Sequence, residues 1–133
     1  MSWLLDTNTI IYAQYLGGRV RERLDEVSQR GRVVTSVLVI AELFYGAAKS
    51  SRPEANRRKV EEVIRAVEVL PITIGSAARF GALKQDLGAR GRVKADIDLH
   101  IAATAIEEGA TLVTNDGALL AGDIEGLVAE NWI

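Results

Sequence analysis

The sequence predicts an α/β fold with a mainly parallel central sheet. Short apolar runs alternate with amphipathic helical stretches along the chain, and no repeat, low-complexity tract or linker interrupts them. Such alternation is typical of βα units. The first unit is a short buried strand, Trp3–Leu5, and a helix from Thr7 to Tyr15 that Gly17 ends. A second helix is indicated by apolar residues at i, i+4 and i+7, namely Val20, Leu24 and Val27.

The later elements continue the alternation. Ser36 can cap a helix, since its hydroxyl can accept an orphan N–H, and Pro53 suits a first helical position. Val69–Ile74 is predicted as a strand at an edge of the sheet or a strand end, because Pro71 lacks an N–H. Ser76 is predicted to cap the helix after it. The other predicted elements are strands at Val33–Thr35, Thr111–Thr114 and Leu127–Ala129, and a helix at Ile97–Glu108.

Length and composition limit the class of protein. A chain of 133 residues argues for one domain, residues 1–133, and 48% apolar with 26% charged residues disfavours disorder. Cysteine is absent, which excludes a disulfide scaffold, a thiolate nucleophile and a zinc finger and fits a cytoplasmic protein. No apolar run is long enough to span a membrane, and the first residues lack the basic stretch of a signal peptide. The net charge of −2 means that a nucleic-acid partner must be met by a local basic patch or through bound cations.

Glu42 is the most informative residue, because it interrupts an otherwise apolar helix. None of its neighbours at i±3 or i±4 is a cation, so the helix itself offers no partner. Burying an unpaired carboxylate costs several kcal/mol. A distant cation, a metal ion, water in a cleft or a narrow solvent-facing stripe must therefore accommodate Glu42.

Two further acids follow predicted strands. Asp6 closes the first strand, and Asp116 follows the strand Thr111–Thr114. Ligand sites in open α/β sheets form outside the carboxyl ends of strands. Each acid also has a structural interpretation, because Asp6 can cap the next helix and Asp116 precedes a glycine in a common turn pair.

Asp96 and Asp98 lie at the start of the predicted helix Ile97–Glu108, where the helix dipole favours carboxylates. Asp98 shares the inward face of that helix, whereas Asp96 is placed as a cap or at the rim. His100 falls on a different face and is interpreted as a surface or interface residue rather than a general base. Four carboxylates in one cleft repel one another unless divalent cations hold them, and Mg²⁺ or Mn²⁺ suits oxygen ligands and phosphoryl chemistry.

The ordered set of motifs resembles the PIN-domain ribonucleases and, more narrowly, the VapC toxins of toxin–antitoxin pairs. No single motif is specific, but together they match in order and spacing over nearly the whole chain. The motifs are Leu4–Asn8, Ser36–Leu43 with Tyr45 and Gly46, Asp98–Ala105, Ala110–Asp116 and Val128–Trp132.

This resemblance implies a three-layer α/β/α sandwich and metal-dependent endonucleolytic cleavage of RNA. Carried over by position, the acidic cluster is Asp6, Glu42, Asp98 and Asp116, with Mg²⁺ or Mn²⁺ held by Asp6, Asp98 and Asp116. Supporting roles fall to Thr7, Asn8, Asp96, Thr114 and Asn115. The resemblance further implies a homodimer and a VapB-type antitoxin as partner, with no membrane association.

Basic residues near the acids are candidates for binding the RNA backbone. Arg90, Arg92 and Lys94 stand just before the Asp96–Asp98 turn, and a second group follows the Glu42 helix: Lys49, Arg52, Arg57, Arg58 and Lys59. For any one of them a solvated helix face is the simpler interpretation.

Two other functions remain open from sequence. A phosphatase of the haloacid-dehalogenase type also begins with an acid after a strand, but it needs a second Asp two residues later, where this chain has Asn8. An inactive PIN-like binding module would keep the fold without binding metal.

Overall fold

The computed structural model describes all 133 residues. Seven helices and five short strands alternate along the chain, as the apolar pattern predicts. In order they are β1 (Ser2–Leu5), α1 (Thr7–Tyr15), α2 (Gly18–Ser28), β2 (Arg32–Ser36), α3 (Val37–Ala48), α4 (Pro53–Ala66), β3 (Glu68–Leu70), α5 (Ile74–Ala89), α6 (Asp96–Glu108), β4 (Thr111–Val113), α7 (Gly117–Leu120) and β5 (Ala129–Glu130).

All five strands are parallel and lie in the order β3-β2-β1-β4-β5. In the central strand β1, Leu5 pairs with Thr35 of β2 on one side and with Val113 of β4 on the other. The chain moves outward from β1 through β2 to β3 and then crosses back to β4. The topological switch point therefore lies between β1 and β4, and a crevice forms there outside the carboxyl ends of the strands.

The crossover directions place helices on both faces of the sheet. Parallel crossovers are right-handed, so the β1-to-β2 and β2-to-β3 connections cover one face, and the reversed β3-to-β4 connection covers the other. The resulting α/β/α arrangement confirms the predicted fold class. The core is continuous, and α6 is its most deeply buried helix, with five consecutive residues, Ile101–Ala105, at most 3% exposed.

The region around Pro71 differs from the prediction. The strand ends at Leu70, not Ile74, because Pro71 cannot donate to the ladder; its predicted place at an edge of the sheet is confirmed. Ile74 instead opens α5 and is 90% exposed. The cap of α5 is Thr73 rather than Ser76: the Thr73 hydroxyl accepts the Ser76 N–H, and the Ser76 hydroxyl accepts the Thr73 N–H in return.

The last predicted strand is displaced as well, since β5 comprises Ala129 and Glu130 rather than Leu127–Ala129. It pairs in parallel with β4 at the edge of the sheet. None of the helices has both the length and the apolar character needed to cross a lipid bilayer.

Candidate active site

A polar cleft of about 450 Å³ opens at the switch point between β1 and β4. No hydrophobic side chain and no cation lines it. We call it the acidic cleft; its lining residues are Asp6, Thr7, Asn8, Glu42, Asp98, Asn115, Asp116 and Gly117. The structure thus brings together all four acids that the sequence predicted, from four separate regions of the chain: the ends of β1 and β4 and the helices α3 and α6.

Asp6 is fixed by two hydrogen bonds at the end of β1. As the N-cap of α1, it accepts the Thr7 N–H through Oδ1 at 2.8 Å. Its Oδ2 accepts the Thr114 hydroxyl at 2.7 Å. The helix-cap interpretation and the cleft interpretation of Asp6 therefore both hold, because one oxygen caps the helix while the carboxyl group lines the cleft.

Thr114 connects the ends of β1 and β4. It is fully buried, and its hydroxyl donates to Asp6 while accepting the Asp116 N–H at 3.0 Å. Asp116 caps α7 by accepting the Ala118 N–H through Oδ1 at 2.9 Å. The neighbouring side chains Asn8 and Asn115 also meet across the cleft, with Asn8 Nδ2 donating to Asn115 Oδ1 at 3.1 Å. The Thr114 hydroxyl therefore links the Asp6 carboxylate to the backbone of Asp116, which comes from a distant part of the chain.

Glu42 reaches the cleft from α3, which follows β2 directly because Ser36 caps it by accepting the Leu38 N–H at 3.1 Å. The Thr7 hydroxyl donates to Glu42 Oε1 at 2.9 Å. Glu42 forms no ion pair. Of the alternatives left open by the sequence, a distant cation is excluded and a cleft position is observed.

Asp98 lies in the first turn of α6, next to the other acids of the cleft. Its partial burial, followed by the charges of Asp116 and Asp6, raises its pKa to about 6. A hydrogen bond that only protonated Asp98 can donate to the Asp116 carboxylate, and the charge of Glu42, act in the same direction. The helix dipole at the start of α6 opposes these effects without overcoming them.

Asp98→Asn is expected to stabilise the metal-free protein. The pKa of Asp98 is higher in the folded chain than the unfolded value of about 3.9, so the folded chain binds this proton more tightly. The resulting stabilisation is complete below about pH 4 and is lost as the pH rises through about 6. Discounted for solvent screening, because the side chain is only partly buried, the gain on substitution at neutral pH is about 1 kcal/mol. Urea unfolding in EDTA at several pH values measures it. A wild-type protein as stable as Asp98→Asn at neutral pH contradicts the expected repulsion.

Two other predicted residues of α6 lie outside the acidic cleft. Asp96 is exposed, and its Oδ1 is 3.0 Å from Lys84 Nζ. Ala95, not Asp96, occupies the cap position of α6. The His100 ring stacks on the Phe80 ring with a centroid separation of 3.8 Å. Neither side chain lines the cleft.

Arg90, Arg92 and Lys94 are occupied by local acids rather than directed at the cleft. Lys94 Nζ lies 3.0 Å from Asp123 Oδ1, and both side chains are less than 10% exposed. Arg92 Nε donates to Asp123 Oδ2 at 2.8 Å, and Arg90 donates to Asp86 and to the Asp123 backbone carbonyl. Hydrogen bonds from Lys94 and Arg92 lower the pKa of Asp123 to about 2. Sequence reasoning missed Asp123, since nothing in its local sequence distinguishes it.

These pairings limit the positive charge that the three residues can offer to a phosphate. The network instead ties the segment before α6 to the segment after α7, next to the elements that carry Asp98 and Asp116.

The donor set of the cleft fits a hard divalent cation. Its charged groups are all carboxylates, and no cation of the protein offsets them. No three acidic or histidine side chains converge as a complete protein ligand set. Mg²⁺ keeps several waters and is usually bound through one or two carboxylates, so complete convergence is not required for it. Asp6, Asp98 and Asp116 are the carboxylates that could hold such an ion, with Glu42 beside them.

Comparison with known proteins identifies the family. The model of the PIN domain matches residues 3–123, which include all four acids of the cleft. The chain belongs to the PIN-domain family. A curated relative of this PIN domain, "Ribonuclease VapC2" of Haemophilus influenzae, is 35% identical, with 100% of this chain and 99% of the relative covered.

Two further proteins resemble this PIN domain along nearly its whole length. The "tRNA(fMet)-specific endonuclease VapC" of Shigella flexneri is 31% identical over 99% of this chain and 98% of its own. A solved structure of VapBC2 from Rickettsia felis, bound to a DNA fragment from the promoter, superimposes with a TM-score of 0.91 at 31% identity and full coverage of both chains. The resemblance to VapC ribonucleases inferred from the motifs is thereby confirmed.

Proposed function

We propose that this PIN domain is a metal-dependent endoribonuclease, the toxin of a toxin–antitoxin pair. The observation that carries the proposal is the acidic cleft itself: four carboxylates without a cation, at the switch point of the sheet, in a chain related to VapC ribonucleases. The substrate is RNA and the reaction is hydrolysis of a phosphodiester bond. We assign the catalytic role to Asp6, Glu42, Asp98 and Asp116.

A bound Mg²⁺ or Mn²⁺ would supply activation of water and neutralisation of the charge that develops on the phosphate. The chain provides the carboxylate donors for the ion. Thr7 and Thr114 orient Glu42 and Asp6 through their hydroxyls, which leaves other carboxylate lone pairs available to a ligand. Glu42, not needed as a direct ligand in this scheme, orients the attacking water. Asp98 must lose its proton to hold a cation, so protons compete with the metal and metal binding weakens as the pH falls below about 6.

The proposal includes two protein partners and a cytoplasmic location. The Rickettsia felis relative was solved as a VapBC pair on promoter DNA, which supports an antitoxin of the VapB type for this chain. Homodimer formation follows from the same family membership. The name of the Shigella flexneri relative makes initiator transfer RNA the first substrate to test.

The two rival functions are less well supported. A haloacid-dehalogenase-type phosphatase needs an acid two residues after Asp6, but Asn8 stands there and its amide is engaged by Asn115. An inactive module has no use for four unneutralised carboxylates in one cleft, since they destabilise the fold.

An assay of substrate and metal separates these functions. We expect internal cleavage of RNA in Mg²⁺ or Mn²⁺, a decrease of at least about 100-fold in EDTA, and recovery when metal is returned. Transfer RNA, other RNAs and a generic phosphate ester are tested side by side, with Asp98→Asn purified in parallel to reveal a contaminating nuclease. Hydrolysis of the ester without cleavage of RNA supports the phosphatase instead, and absence of both supports the inactive module.

A further inference from the structure

We propose that a second cleft, next to the acidic cleft, binds a nucleotide of single-stranded RNA, with Tyr15 stacking on the base and Lys59 contacting the phosphate. This inference rests on the proposed function, since it names where the RNA that enters the acidic cleft is held. We call the second cleft the Tyr15 cleft. It measures about 200 Å³ and is walled by α1, α3 and α4.

The two clefts share a boundary. Thr7 and Glu42 line both, and the hydrogen bond between them forms the partition. A polymer with its scissile phosphate beside Glu42 therefore continues directly into the Tyr15 cleft. A second binding site at this position can hold a nucleotide that flanks the cleaved bond.

The Tyr15 cleft contains an aromatic ring and a cation that are already arranged together. Tyr15, the last residue of α1, is half exposed, and Lys59 Nζ lies 4.0 Å from the centroid of its ring. The Tyr15 hydroxyl donates to Asn56 Oδ1 at 3.2 Å. Gln14 Nε2 donates to the backbone carbonyl of Lys59 at 3.0 Å, which joins the same two helices.

Lys59 differs from the basic residues before α6 because no acid neutralises it. It takes part in no ion pair, whereas Arg90, Arg92 and Lys94 each pair with an Asp. Lys59 is also the only cation that lines the Tyr15 cleft, and Glu42 at the boundary is the only acid. The ammonium group is thus available to a phosphate oxygen at the entrance to a strongly negative site.

This chemistry favours single-stranded RNA over other occupants. Unpaired bases stack on exposed aromatic rings largely regardless of sequence, and lysines beside them hold the backbone. A duplex keeps its bases stacked internally and cannot use such a ring. An apolar peptide segment would not use the ammonium group, and the acidic cleft alone would repel RNA.

Binding of a labelled single-stranded RNA, followed by fluorescence anisotropy in EDTA, tests the proposal without requiring catalysis. Tyr15→Ala is expected to weaken binding about tenfold, because stacking on an aromatic side chain is lost. Tyr15→Phe keeps the ring and should bind within about twofold of wild type. Lys59→Ala is expected to weaken RNA binding about fivefold and to lower the salt dependence of the binding constant by about one phosphate contact. Lys59→Arg keeps the charge and should retain both the affinity and the salt dependence of wild type.

Arg65→Ala is the matched control. Arg65 is exposed on the same helix as Lys59, forms no ion pair and lines neither cleft, so its removal changes the net charge equally without touching the proposed site. Cleavage kinetics in Mg²⁺ should show a raised KM with little change in kcat for Tyr15→Ala. Far-UV circular dichroism and Tm check that each variant is folded.

Several results overturn the inference. The inference fails if Tyr15→Ala has the RNA affinity and KM of wild type. It also fails if Arg65→Ala weakens RNA binding as much as Lys59→Ala does, because that result indicates a diffuse effect of charge. If Tyr15→Ala binds RNA normally but no longer binds the antitoxin, the Tyr15 cleft is a binding site for a protein partner instead. If wild type binds RNA through Tyr15 but cleaves none, the proposed function fails while this inference stands.

Discussion

Asp98→Asn and Asp6→Asn are each expected to reduce metal-dependent RNA cleavage by at least about 1,000-fold, since several kcal/mol of transition-state stabilisation depend on the metal that these carboxylates hold. The substitution keeps the size of each side chain and removes its charge. Asp6 directly follows β1 and Asp98 lies in the first turn of α6, so the two variants test the site from independent elements. Initial rates on an RNA substrate in Mg²⁺ and in Mn²⁺ measure the effect.

The matched control is Glu107→Gln, near the other end of α6. Glu107 pairs with Arg79 and lies outside the cleft, so the same change of charge on the same helix should leave the rate within about twofold of wild type. The distinctive expectation for Asp98→Asn is a protein that is inactive yet more stable than wild type without metal. Activity retained in both Asp variants contradicts the assignment of the site.

Thr114→Val is expected to lower both metal affinity and the rate of cleavage by about 10- to 100-fold, although Thr114 does not line the cleft. Its hydroxyl holds Asp6 Oδ2 at 2.7 Å and the Asp116 N–H at 3.0 Å. Val has nearly the same shape, so the change removes those two bonds and little else. The orphaned partners should also reduce the free energy of unfolding by about 1–3 kcal/mol.

Thr114→Ser provides the comparison, because it keeps the hydroxyl and loses only a buried methyl group, at a cost of about 1 kcal/mol. We expect its rate and its Mn²⁺ affinity, measured by calorimetry, to stay within a few-fold of wild type. Thr114 is a positioning residue, so the informative result is the difference in Mn²⁺ affinity between Thr114→Val and Thr114→Ser. Equal effects of Val and Ser would show that packing, not the hydroxyl, is what matters at this position.

The position of the acids could be predicted because it follows from local rules. Asp6 comes directly after a short apolar run, Asp116 comes three residues after the end of β4, and β1 and β4 are neighbours in the sheet. Glu42 could be singled out because the helix around it offers no partner. These inferences need only strand ends, helix periodicity and the energetic cost of burying a charge.

The pairing of basic residues could not be predicted, because it depends on contacts between distant segments. Lys94 is neutralised by Asp123, and Lys59 stands over Tyr15, yet nothing in the local sequence of either partner indicates the other. Two lysines that look equally suitable for binding RNA in the sequence thus have opposite surroundings in the fold. The predicted end of β3 was wrong for a different reason. The apolar run continues past Pro71, but the hydrogen bonds of the strand cannot continue there because Pro71 has no N–H.

The most direct test of the central claim is the anomalous scattering of crystals grown with Mn²⁺. We expect a peak in the acidic cleft at about 2.0–2.2 Å from carboxylate oxygens of the Asp6, Asp98 and Asp116 set, and its loss in Asp98→Asn crystals grown in the same way. A protein that cleaves RNA in Mn²⁺ but shows no peak in this cleft, or binds the ion elsewhere, would contradict the account.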